Sequence, residues 1–127
     1  MKVTRLDHLV LTVVDLEATV DFYQRVLGMT VRAFGAGRLA LRFGEQKINL
    51  HEAGNEFEPK ARVATPGSAD VCFVVEQPLA EWQEHLAELG VPLVLGPVPR
   101  DGALGPMTSI YIRDPDGNLL ELASYSE

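Results

Sequence analysis

The chain has 127 residues, a formal net charge of −7 and a hydrophobic share of 46%, which together are typical of one folded globular domain. The acidic balance and the lack of a lysine and arginine cluster argue against a nucleic-acid partner. No apolar run approaches the roughly 18 residues that a membrane span needs. Cys72 is the only cysteine, which rules out an internal disulfide and favours the reducing cytoplasm.

The first half of the chain passes from a strand pattern to a helix pattern and back. Residues 5–14 are rich in β-branched and aliphatic side chains and predict a buried strand. Asp15 is a candidate N-cap, and apolar residues then recur at helical spacing as far as Gly28, which is typical of the residue after a helix. Three more strands are predicted at 29–34, 38–43 and 47–52. The first half therefore has the order βαβββ.

The second half repeats this order after a polar linker at about 54–68. A strand is predicted at 69–75, and Pro78 suits the first turn of a helix that ends before Gly90. The remaining strands are predicted at 91–95, 109–113 and 119–124. The stretch 96–106 is rich in proline and glycine and is interpreted as a loop.

A nearly constant offset relates the two halves. The differences 70 − 8 and 90 − 28 both equal 62, which aligns Asp70 with His8 and the two helix-ending glycines with each other. The last strands align Glu121 with His51 at an offset of 70. The sequence therefore predicts an α+β fold in one domain over 1–127. Two βαβββ repeats, at about 5–53 and about 69–125, would form a curved mixed sheet around a central cup.

Each repeat carries a residue that can bind metal in its first strand and another in its last strand. Because strand side chains alternate between faces, three of them lie opposite apolar neighbours, on the polar face of a sheet. Buried carboxylates are costly unless they are paired or bound to a cation. A divalent metal satisfies this need, and mixed nitrogen and oxygen donors suit Zn, Ni, Co, Mn or Fe. The four candidate ligands are His8, His51, Asp70 and Glu121.

Two motifs resemble the vicinal oxygen chelate superfamily. One is the strand Asp-His-Leu-Val-Leu at 7–11 with the helix that follows it, and the other is Asp-Pro-Asp-Gly-Asn-Leu-Leu-Glu-Leu at 114–122. The superfamily holds glyoxalase I, extradiol dioxygenases, fosfomycin-resistance thiol transferases, methylmalonyl-CoA epimerase and metal-free bleomycin-binding proteins. The stretches 66–70 and 96–100 also resemble small glyoxalase-domain proteins of the glyoxalase domain-containing protein 5 type.

The resemblance implies that metal ligands come from the first and last strands of each repeat, which supports the same four residues. Asp70 departs from the pattern, because the superfamily's metal enzymes commonly have histidine there. The expected function is a metal-dependent lyase or isomerase of the glyoxalase type, acting on a small substrate chelated to the ion. In that reaction Glu121 would move a proton, and the metal would stabilise an enediolate-like oxyanion.

Three further residues are candidates for substrate binding. Arg100, in the proposed loop, would close over an anionic substrate, while Tyr111 and Arg113 precede the final turn. Cys72 is expected to be a small buried residue without a catalytic role. Two alternative functions are a non-catalytic drug-binding protein of the bleomycin-resistance type and an Fe(II) extradiol-type dioxygenase. The resemblance also implies a homodimer.

Overall fold

A computed structural model describes the whole chain, Met1–Glu127, as two compact units, Met1–Gly67 and Ser68–Glu127. The first unit contains β1 (His8–Val13), α1 (Leu16–Arg25), β2 (Thr30–Phe34), β3 (Arg38–Phe43) and β4 (Gln46–Glu52). The second contains β5 (Asp70–Val74), α2 (Leu79–Glu88), β6 (Leu95–Gly102), β7 (Gly105–Arg113) and β8 (Leu119–Ser124). The predicted α+β class and the two βαβββ units are confirmed, and each unit has its own four-stranded mixed sheet.

The two sheets have the same strand order. In the first unit the order is β1-β4-β3-β2, with β1 parallel to β4 and the other pairs antiparallel. In the second unit the order is β5-β8-β7-β6, with β5 parallel to β8. The helix in each unit links the parallel first strand to the antiparallel part of the sheet. Neither helix is long and apolar enough to cross a membrane.

One face of each sheet is apolar and forms that unit's core with the helix. Asp15 caps α1 as predicted, because its carboxylate accepts a hydrogen bond from the Ala18 N–H at 3.0 Å. Fully or almost fully buried side chains on this side of the two units include Val13, Tyr23, Leu41, Ile48, Leu86, Ile110, Ile112, Leu120 and Leu122. The opposite face of each sheet carries the candidate polar side chains, interspersed with apolar ones such as Val10 and Leu119.

The stretch interpreted as a loop is mostly strand. β6 runs from Leu95 to Gly102, so the strand predicted at 91–95 is wrong, and β7 begins at Gly105 instead of 109. β6 lies at the edge of its sheet, where the missing N–H of Pro97 or Pro99 is tolerated. A register shift between Leu95 and Val98 accommodates the prolines further.

The register also corrects the alignment of the last strands. His8 pairs with Lys47 in the first unit, and Asp70 pairs with Leu119 in the second. The offset between the last strands is therefore 119 − 47 = 72, not 70. Consequently Asn49, not His51, occupies the position that corresponds to Glu121.

Candidate functional site

The polar face of the second unit gathers the candidate residues of that unit around one cavity. Its volume is about 310 Å³, and its lining comprises Asp70, Val94, Leu95, Arg100, Tyr111, Arg113, Leu119 and Glu121. Asp70 pairs with Leu119, and Cys72 pairs with Glu121, so the two carboxylates are diagonal neighbours on one face. All five site residues predicted for this unit therefore line the same cavity.

Arg100 lies on a strand at this cavity and not in a flexible loop. Its Nε donates a hydrogen bond to the Tyr111 hydroxyl at 2.8 Å, and its Nη1 donates to the Pro99 carbonyl at 2.9 Å. The guanidinium carbon also lies 5.4 Å from the centre of the Tyr111 ring. The expectation of a closing loop is wrong because β6 pairs with β7 along this stretch, and Arg100 is thereby held in place.

Glu121 has two polar neighbours on its own face, and one of them is hydrogen-bonded to it. The Ser109 hydroxyl donates to Glu121 Oε2 at 2.6 Å, and Ser109 is fully buried. Cys72 pairs with Glu121 across the strands, so its thiol lies on the same face as the carboxylate. Desolvation of the thiol, followed by the negative charge of Glu121, raises the pKa of Cys72 to about 11. Cys72 is exposed as a residue, so the prediction of a buried cysteine is wrong.

The motif at 114–118 fixes the position of β5 beside β8. The buried Asp114 carboxylate accepts hydrogen bonds from the backbone N–H groups of Asp116 and Asn118 and from the Asn118 amide, at 2.8 to 3.0 Å. Asn118 Oδ1 in turn accepts from the Ala69 N–H at 2.8 Å. Since Ala69 precedes Asp70, this network sets the register that makes Asp70 and Glu121 neighbours.

The two candidate histidines of the first unit lie at different depths. His8 is exposed, and its Nδ1 lies 2.8 Å from Asp7 Oδ2, a hydrogen bond that lowers the pKa of Asp7. His51 is 3% exposed, and its Nε2 is buried without a hydrogen-bond partner. His51 pairs with Thr12, four residues beyond His8 along the parallel strand, which is about 13 Å at ~3.3 Å per residue. Within this unit, one ion would therefore bind at most one of the two imidazoles.

Known proteins match almost the full length of the chain. The model of the Glyoxalase/Bleomycin resistance protein/Dioxygenase superfamily matches residues 5–122. The chain belongs to this superfamily. It is 58% identical over 127 residues to the glyoxalase domain-containing protein RDO1 of Mycosarcoma maydis, a match that covers 100% of this chain and 72% of that protein.

Two other proteins are also similar to the chain over most of their length. The crystal structure of virulence protein STM3117 from Salmonella typhimurium has a TM-score of 0.97 and 52% sequence identity, covering 98% of this chain and 99% of that chain. The metallothiol transferase FosB of Staphylococcus epidermidis is 28% identical over 122 residues, which is 96% of this chain and 82% of that protein.

Neither unit of this superfamily member brings together three or more histidine, cysteine, aspartate or glutamate side chains that could hold a metal ion. The second unit does supply two carboxylates in one cavity. That donor set suits a divalent ion that keeps part of its water shell, because such ions are often bound by one or two carboxylates. The residues of the cavity thus fit a hydrated ion, not a fully protein-coordinated one.

Two polar residues of these faces were missed by the sequence analysis. Ser109 was placed only as the first residue of a strand, although its hydroxyl contacts Glu121. Asn49, which corresponds to Glu121, is 5% exposed, and its Oδ1 has no hydrogen-bond partner. Alternation along β4 puts Asn49 on the polar face, but only the correct offset of 72 would have selected it.

Proposed function

We propose that the chain is a metal-dependent enzyme of the glyoxalase type that acts on a small, oxygen-bearing substrate in the cavity of the second unit. The observation that carries this proposal is the position of Asp70 and Glu121 in one cavity with Arg100, Tyr111 and Arg113. Two acids, two cations and a phenol line about 310 Å³ beside three aliphatic side chains, so several polar groups converge on one partly apolar cavity. The name of the relative FosB, a metallothiol transferase, supports metal chemistry in the same fold.

In this proposal Asp70 and Glu121 hold one divalent ion in the cavity. When bound, the ion supplies Lewis-acid polarisation of a substrate oxygen. Ser109 keeps the Glu121 carboxylate in place through its hydrogen bond to Oε2. The two imidazoles expected from the sequence, His8 and His51, belong to the first unit and do not line this cavity.

The remaining cavity residues bind and orient the substrate. The Arg100 guanidinium is fixed by Tyr111 and Pro99, so it presents a charge in a defined position to a substrate carboxylate or carbonyl oxygen. Arg113 Nη1 donates a hydrogen bond to the Gly117 carbonyl at 3.1 Å, which fixes the second guanidinium. Glu121 is the proposed acid–base group, taking a proton at a carboxylate oxygen and returning it to the neighbouring substrate carbon.

Metal analysis of protein purified without chelator, and after loading with Zn, Ni, Co, Mn or Fe, tests this function. We expect about one ion per chain for the wild type and loss of that ion in Glu121→Gln and Asp70→Asn. The control is Glu84→Gln, which makes the same chemical change at an exposed carboxylate of α2. It should keep full occupancy.

The outcome that contradicts the proposal is an absence of metal under every loading condition. That result would favour the alternative of a non-catalytic small-molecule-binding protein. Retention of full occupancy in both variants would instead show that other residues hold the ion. Circular dichroism of each variant checks that the fold is intact, so that a loss of metal is not caused by unfolding.

We also propose that the enzyme works as a homodimer in the cytoplasm. Each sheet has two edge strands, whose free backbone groups can pair with another chain, and the single thiol needs no oxidising compartment. Light scattering of purified protein should give twice the chain mass of 13.9 kDa. A monomer at every concentration would contradict the dimer.

A further inference from the structure

The polar face of the first unit's sheet is strongly basic, although the whole chain is acidic. The register places Arg32 of β2, Arg38 and Arg42 of β3 and Lys47 of β4 on one face. No aspartate or glutamate of the four strands lies on that face; Glu52, at the end of β4, has the opposite parity. In a chain of net charge −7, this separation creates a local positive potential.

Two of these cations are held against aromatic rings. The Arg38 guanidinium carbon lies 5.0 Å from the centre of the Phe34 ring and 4.8 Å from that of Phe57. Lys47 Nζ lies 4.1 Å from the same Phe34 ring. No carboxylate lies within salt-bridge distance of either cation. Both charges are therefore positioned by rings, which leave their hydrogen-bonding capacity unused.

Buried polar atoms of the same face also lack partners. Arg38 Nε, Asn49 Oδ1 and His51 Nε2 are buried and make no hydrogen bond. His51 packs edge-on against Phe57, with ring centres 5.6 Å apart, so Phe57 links it to Arg38. The Glu56 carboxylate interacts with the charge of His51, but it already accepts from the Gly54 N–H at 2.8 Å, the main cause of its lowered pKa. Buried polar atoms without partners are rare in proteins, and a bound ligand, ion or water is the usual explanation for them.

We propose that this face binds a small oxyanion, a carboxylate or a phosphate, at Arg38, Lys47 and His51. The Arg38 fork and the Lys47 ammonium supply charge-assisted hydrogen bonds, and His51 donates from Nε2 in the matching tautomer. Asn49 Oδ1 accepts from a hydroxyl of the ligand or from water. The site uses none of the residues of the second unit's cavity. It assigns His51 to the anion and not to the metal that the sequence suggested.

Titration of metal-free, chelator-treated protein with inorganic phosphate, and separately with acetate, tests this site by two-dimensional ¹H–¹⁵N NMR. We expect saturable shifts centred on Arg38 and on β4 with at least one of the two anions, and the pair of titrations identifies the class. Arg38→Gln should weaken binding at least tenfold. Arg38→Lys, which keeps the charge but loses the fork, should give an intermediate loss.

The control is Arg62→Gln, an equal change of charge at an exposed residue of the same unit. It should leave the anion affinity unchanged. Equal weakening by Arg38→Gln and Arg62→Gln would show unspecific attraction and overturn the proposal, as would the absence of saturable shifts with both anions. Since no metal is present, these outcomes do not depend on the function proposed for the second unit.

Discussion

The two units share strand order and register but differ in the side chains on their corresponding polar faces. In the first unit that face carries four basic residues and no acid, whereas in the second it carries Asp70 and Glu121 beside Arg100 and Arg113. At the corresponding positions of the last strands, Asn49 stands in one unit and Glu121 in the other. The duplicated backbone thus supplies equal positions, and the side chains give each face its own chemistry.

In both units a side chain at the start of the last strand makes a hydrogen bond to the backbone just before the first strand. This bond is partly buried in the second unit and exposed in the first. In the second unit Asn118 Oδ1 accepts from the Ala69 N–H and is itself tied to Asp114. In the first unit Gln46, at the corresponding position, donates from Nε2 to the Leu6 carbonyl at 2.8 Å. Asn118 is 1% exposed, while the Gln46 bond is open to solvent.

The largest expected effect concerns this contact. Asn118→Ala should lower the free energy of unfolding by about 3 kcal/mol, because it leaves the buried Asp114 carboxylate and the Ala69 N–H short of partners. Gln46→Ala should cost only about 0.5–1 kcal/mol, because water replaces an exposed hydrogen bond. Urea unfolding of both variants measures the difference. Equal losses would contradict the stronger attachment of the second unit's first strand.

The second prediction concerns the support of Glu121. Ser109→Ala should weaken metal affinity by roughly tenfold or more, because the carboxylate loses the hydroxyl that orients it. Thr108→Ala is the matched control, since the Thr108 hydroxyl donates to the Glu127 carbonyl and its side chain has the opposite parity on β7. Calorimetric titration with one metal compares the variants. An unchanged affinity in Ser109→Ala would remove Ser109 from the site.

The smallest effect of a substitution is expected in the reactivity of Cys72, when its neighbour Glu121 is changed. With a pKa of about 11, the thiol is protonated at pH 8, and its alkylation by iodoacetamide should be about a hundredfold slower than that of a free cysteine. The rate should rise as the pH approaches 11, because deprotonation creates the reactive thiolate. Glu121→Gln removes a nearby negative charge and should speed the reaction at pH 8 several-fold. No change in that rate would contradict the contact between the two side chains.

Local patterns in the sequence predicted the elements that depend on local physics. Asp15 caps its helix, and the two glycines that follow the helices, Gly28 and Gly90, have positive φ angles of 68° and 71°. Alternation placed Asp70 and Glu121 on the polar face of a sheet. β6 was missed because its prolines and glycines are typical of a loop. Only the pairing with β7 makes this stretch a strand.

Features that depend on pairing between distant strands could not be predicted in the same way. The offset of 72 between the last strands follows from the parallel pairings of β4 and β8, and alternation alone cannot distinguish it from 70 because both are even. The alignment therefore chose His51 in place of Asn49. The packing of Phe57 against Arg38 brings a loop residue onto the sheet, and no periodic pattern indicates it.

The position of the metal tests the central claim most directly. We predict that a crystal of metal-loaded protein, measured at the absorption edge of the bound ion, gives one anomalous peak within about 2.0–2.6 Å of carboxylate oxygens of Asp70 and Glu121. A peak on His51 away from both carboxylates would contradict the division of chemistry between the two units. So would a fully loaded crystal with no ordered peak at the cavity of the second unit.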